Sequence, residues 1–173
     1  MASDPDTRDQ QGGEAERSSA RRPPANDAAP PGSICIDLQP ERQRIDALRD
    51  EIVAALTDAG YTETACFAVR LAYEEAITNA RDHGNDGQSD LPIRVEYHVT
   101  PARFFLRIAD QGHGFNPKAV SDPTLPENLL NPAGRGLLLI RAYMSEVAFN
   151  DRGNEITCIY KNPQQPLSGE RSA

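Results

Sequence analysis

No apolar run in this chain approaches the roughly 18 residues that a membrane-crossing helix needs, and no secretory leader pattern opens it. A soluble, cytoplasmic protein with no membrane contact is therefore expected. Basic charge is scarce as well: 18 Lys and Arg stand against 26 Asp and Glu, giving a net charge of −8 and a pI near 4.9. A general nucleic-acid binder needs a basic stripe to displace counterions from phosphates, so the expected partners are proteins or small molecules and not nucleic acid. The cysteines, Cys35, Cys66 and Cys158, are odd in number and lack C-x-x-C or metal-ligand spacing. That excludes a disulfide framework and suits a reducing compartment.

Large apolar side chains are missing from residues 1–32 once Met1 is passed; the stretch is Pro, Gly, Ser, Ala and mixed charge. Such a segment does not offset the entropy of its own ordering, and a disordered tail is expected. Its Arg8, Arg17, Arg21 and Arg22 are scattered among acidic residues and form no basic arm. A flexible tail is also expected over 163–173. The 173 residues allow one domain with a sizeable core, here 33–162, and not two.

Within 33–162 the periodicities are legible. Ile34, Ile36 and Leu38 alternate as a short strand. Residues 41–59 place Ile45, Leu48, Ile52, Val53 and Leu56 on one helical stripe that stops at Gly60, and Thr62 offers an N-cap to a second, mostly apolar helix ending at Gly84. Residues 93–99 and 104–109 read as a hairpin about the turn Thr100-Pro101-Ala102. A Pro- and Asn-rich stretch, 116–133, has the length and composition of a lid. Residues 137–144 read as a third helix, and 146–150 and 155–160 as two more strands. The predicted fold class is α+β: a two-layer sandwich, three helices packed on one mixed, largely antiparallel β-sheet.

Three irregular stretches interrupt this pattern. In LAYEEAITNARDHGN, Glu75 and Asn79 are four residues apart and leave one helix face, a carboxylate for general-base work beside an amide oxygen suited to a hard metal ion. In DQGHGF, Gly112 and Gly114 let backbone approach a ligand closely beside Asp110. Gly134-Arg135-Gly136 opens a helix, where free N–H groups and the macrodipole favour phosphate. Each has a plainer reading taken alone: a solvated helix face, a β-turn, a helix start.

Taken in order, EEAITNARDHGN, IADQGHGFNP and GRGLLLIRAYMSEV resemble the nucleotide-binding boxes of the histidine-kinase-like ATPase superfamily, and most closely the anti-sigma factors that are serine/threonine-protein kinases. The resemblance covers about residues 34–161 and implies the Bergerat ATP-binding fold. It further implies ATP and Mg²⁺ as cofactors, Glu75 as the general base and Asn79 as the Mg²⁺ ligand. Asp110 would accept a hydrogen bond from the adenine amino group, with Gly112 and Gly114 against the base. Gly134, Arg135, Gly136 and Leu137 would close over the phosphates, Arg135 holding the γ-phosphate, with His83 near them and Thr157 touching the adenine side through water. The implied partners are a sigma factor and a small antagonist protein that receives the phosphoryl group, met by the first helix and the surface near the lid, in a homodimer.

Two departures bear on the branch of the superfamily. Sensor histidine kinases often carry Lys or Arg three residues after the Asn; here that position is Asp82. The three histidines, His83, His98 and His113, sit at a helix end, on a strand and in the glycine turn, and none suits a phospho-acceptor on a dimerising helix. Both point to a stand-alone kinase. A nucleotide-gated binding module without transfer, and a chaperone-like ATPase, remain as alternatives.

Overall fold

The computed structural model describes residues 28–85, 90–114 and 135–165. The predicted lid (116–133), Phe115, Gly134, and most of both predicted tails (1–27 and 166–173) lie outside the described residues.

Chain order is β1 (Ile34–Leu38), α1 (Arg42–Asp58), α2 (Glu63–Asn79), a π-helical turn (Ala80–Gly84), β2 (Ile93–Val99), β3 (Arg103–Ala109), α3 (Arg135–Tyr143), β4 (Glu146–Phe149) and β5 (Glu155–Lys161). The strands form one sheet in the order β1-β2-β3-β5-β4, with the helices on one side. The α+β two-layer architecture is as predicted, but the sheet is wholly antiparallel where a mixed one is expected. The reason is connectivity. Two helices between β1 and β2 reverse the chain three times, an odd number, so those neighbours oppose each other. A single helix leaves β3 and β4 parallel, but β5 is inserted between them and opposes both.

Local chemistry sets the element ends. Gly60, at φ +82, stops α1, and the Thr62 hydroxyl accepts from Ala65 N–H at 3.2 Å as the N-cap of α2. Thr100 closes the β2–β3 hairpin through bonds to both the N–H and the carbonyl of Arg103. On the sheet face toward the helices lie Val95, Tyr97, Leu106, Ile108, Ile156 and Cys158; against them pack Ile45, Leu48, Ile52 and Leu56 of α1, Val69, Ala72, Tyr73 and Ile77 of α2, and Ile140 of α3. Small residues along α2 let the neighbouring helices approach. The buried Tyr73 hydroxyl donates to the Ile45 carbonyl at 3.1 Å, joining α2 to α1. Because α2 is the central helix, held on both flanks, its C-terminal end is a rigid place to mount functional side chains.

Candidate functional site

Three segments distant in sequence meet: the C-terminal turns of α2, the turn after β3 and the first turn of α3. Glu75 and Asn79, both half-buried, share a face at the end of α2. The α-helix then gives way to a π turn, in which Asn85 N–H reaches back five residues to the Ala80 carbonyl at 3.1 Å. The sequence pattern predicts one helix running to Gly84, so this widening is a correction. His83 lies on it, exposed.

The glycines are where the segments touch. A Cβ on Gly136 would fall onto Oε2 of Glu75, so glycine lets α3 begin with that carboxylate undisplaced. Arg135 and Gly136 are themselves helical, so α3 includes at least two residues before the predicted 137. Arg135 is exposed, whereas Leu137 is buried in the core and offers only backbone to a ligand. Gly112 packs on the carbonyl of Gly84, and the carboxylate of Asp110 lies where a Gly84 side chain would be. Gly114 takes φ +76, a backbone state that suits glycine, beside the Arg152 carbonyl.

Asp110 is held from several sides. Its Oδ1 accepts from Gly112 N–H at 2.9 Å, its N–H donates to the Asn154 carbonyl at 3.0 Å, and its carbonyl accepts from Asn154 Nδ2 at 2.9 Å. Asn85, 1 % exposed, accepts from Gln111 N–H at 3.1 Å and donates to the Leu91 carbonyl at 3.0 Å, tying the end of α2 to this turn.

Asp82 is not the isolated negative charge that its sequence position suggests. Arg81 donates to both its oxygens, at 2.6 and 3.0 Å, and this hydrogen-bonded guanidinium holds its carboxyl below the usual range. Its charge is therefore largely compensated by Arg81. Thr157 is not brought to the site. It pairs with Arg107 and Ala148, between Ile156 and Cys158 of the core, so it faces the opposite side of the sheet; its hydroxyl accepts from Arg107 Nε at 3.4 Å. Strand alternation, which separates it from its apolar neighbours, places it there.

Sequence reasoning missed Asn85, Asn150, Arg152 and Asn154. The one available signal is the density of turn-forming polar residues in FNDRGNE, which reads as an ordinary hairpin turn until its contacts are seen. Chemically, the assembled groups offer a carboxylate at a helix end, a neighbouring amide oxygen, a second carboxylate fixed in a glycine turn, and the first-turn backbone of α3.

Residues 38–160 match the histidine kinase-like ATPase domain. The chain is similar to the serine-protein kinase RsbW of Listeria innocua serovar 6a, at 26 % identity over 80 % of this chain and 94 % of that one. It is also similar to the serine-protein kinase RsbW of Oceanobacillus iheyensis, at 29 % identity over 58 % and 71 % respectively. Among solved structures, the RsbU and RsbW domains of Rv1364c from Mycobacterium tuberculosis share the fold, with a TM-score of 0.51 and 17 % identity; the match covers 78 % of this chain and a 33 % share of that longer one.

Proposed function

The chain belongs to the histidine kinase-like ATPase domain family, and from that premise we propose that it is an anti-sigma factor that transfers the γ-phosphoryl group of ATP to a serine or threonine of a small antagonist protein. The contact that carries the reading is that between Gly136 and the Glu75 carboxylate, which sets a base against the helix start that would face the phosphates. In phosphoryl transfer a protein mainly orients groups and offsets charge. Glu75 would accept the proton of the attacking hydroxyl. The α3 N–H groups and Arg135 would hold the phosphates, and Asp110 would accept from the adenine amino group. His83, on the π turn, stands near the phosphate side in this arrangement.

Asn79 supplies a hard oxygen one turn beyond Glu75, and among the described residues no group of three or more His, Cys, Asp or Glu side chains would hold a metal alone. That donor set fits Mg²⁺, which would share one amide with phosphate oxygens and neutralise the charge that builds there. The nucleotide-binding unit is 33–162, and it works as a cytoplasmic homodimer that also sequesters the sigma factor. No helix among the described residues is long and apolar enough to cross a membrane.

The test is incubation with radiolabelled ATP, Mg²⁺ and the antagonist. Transfer by the wild type and its loss in Glu75→Ala, with nucleotide affinity retained, is the expected result. Absence of transfer by the wild type removes the kinase reading, and undiminished transfer by Glu75→Ala removes the base.

A further inference from the structure

The turn carrying Asp110 is held by a device on a different hairpin, the one joining β4 to β5. The β3–β5 ladder ends, by strand register, at the pair Ala109 and Glu155. One step further, Asp110 and Asn154 would form the next pair, and half of it is made: Asp110 N–H donates to the Asn154 carbonyl at 3.0 Å. The reciprocal backbone bond is absent because Asn154 N–H is turned to Oδ1 of Asn150, at 3.1 Å. In its place the Asn154 side-chain amide donates to the Asp110 carbonyl at 2.9 Å. Its own Oδ1 is fixed by Asn150 Nδ2 at 2.9 Å, which leaves Nδ2 aimed in one direction.

A second arm reaches the same turn two residues on. Arg152 donates to the Gly112 carbonyl at 2.9 Å, while its own carbonyl abuts Gly114. The 110–111 and 112–113 peptide planes are thus both gripped by the 150–154 turn. Asp110 Oδ1 is in turn bonded to Gly112 N–H, in the 111–112 plane between them, so the orientation of the carboxylate depends on both grips. An ordinary hairpin turn needs none of these side-chain bonds to a neighbouring loop. A side chain whose hydrogen bonds fix a recognition group raises selectivity without touching the ligand.

We infer that Asn154 and Arg152 are positioning residues for base recognition, setting the Asp110 carboxylate for the exocyclic amino group of a purine. The inference rests on the reading in which Asp110 accepts from adenine. It assigns to the β4–β5 turn a part in choosing which nucleotide binds.

The readout is preference rather than affinity, because a site built to hydrogen-bond a group discriminates against the analogue that lacks it. Binding of ATP and of purine riboside triphosphate, which lacks the amino group, is measured by competition against a fluorescent nucleotide for wild type, Arg152→Met and Asn154→Ala. The wild type is expected to prefer ATP. Each variant is expected to lose about tenfold of that preference while its affinity for the analogue stays within about twofold. Variants that keep the full preference, or that weaken both nucleotides equally, overturn the inference and leave the Asp110 reading standing. A wild type without preference overturns that reading and this inference together. Circular dichroism reports folding, and should Asn154→Ala not fold, Arg152→Met, at an exposed position, decides the matter alone.

Discussion

Gly136→Ala separates folding from chemistry at this site. The added methyl would meet Oε2 of Glu75, with Cδ of the same side chain 3.3 Å and its Cβ 3.6 Å from the new carbon. The obstructing atom is the end of a flexible side chain, so the fold has a way to yield: the carboxylate rotates away. Forcing it off its preferred rotamer costs about 0.5–1.5 kcal/mol, while alanine in place of a helical glycine returns up to about 1 kcal/mol. The net stability change is therefore within about 1 kcal/mol, a shift of a few degrees in Tm. Transfer is affected differently, because a displaced base forfeits about 10²–10⁴-fold in rate. The assay pairs thermal melts with phosphoryl transfer to the antagonist and nucleotide affinity by titration. The double variant Glu75→Ala/Gly136→Ala has no obstruction left, so it is expected to transfer no more slowly than Glu75→Ala and to be the more stable of the two. Wild-type transfer by Gly136→Ala, or a loss of stability above about 2 kcal/mol, refutes the reasoning.

Asp110→Asn keeps an oxygen for Gly112 N–H but sets an amide donor against the adenine amino donor, and ATP affinity is expected to fall by about 1.5–3 kcal/mol, measured by titration calorimetry. Alkaline stability reports on the core. Burial pushes the Cys158 thiol from 9.0 up to about 12, so it stays protonated in the folded protein where the unfolded chain ionises. A raised pKa contributes stability that is complete below about pH 9 and is lost as pH rises toward 12, with a loss of about 1.4 kcal/mol by pH 10. Tyr61, pushed by burial from 10.0 up to about 12, adds the same trend at higher pH. Urea unfolding of wild type and Cys158→Ala at pH 8, 9 and 10 checks this; equal pH slopes for the two proteins would sink the assignment.

The regular elements were legible because each exposes a periodic apolar face to one core. The α1 stripe of Ile45, Leu48, Ile52 and Leu56 is buried as its spacing requires, and β1 and β2 keep the expected bounds. Relations between elements were less legible. The insertion of β5 between β3 and β4 makes the sheet wholly antiparallel, yet no local pattern announces strand order. Tyr73, fully buried, reads from sequence as an amphipathic residue beside Glu74 and Glu75, and its role depends on a carbonyl in another helix. For the site, the motif residues Glu75, Gly112 and Gly136 stand out through the order and spacing of the three stretches that carry them. Asn154 and Asn85 do not, since asparagine is unremarkable in a turn and only its partners give it meaning. Thr157 shows the opposite failure: the parity of Ile156, Cys158 and Tyr160 already places it on the far face.

The π turn at Ala80–Gly84 acts on the reading frame of the helix. Up to Asn79 the residue that lies over its predecessor is four further on, which pairs Glu75 with Asn79. Were that frame kept, the next residue in phase would be His83. The Ala80–Asn85 bond lengthens the step to five, and it is Gly84, the residue without a side chain, that comes to rest under the Asp110 carboxylate. One extra residue in the turn thus exchanges an imidazole for an open space at the junction. Removing a single residue between Arg81 and His83 would restore the α step with Gly84 now four residues from Asn79, so the space would stay open without the π turn.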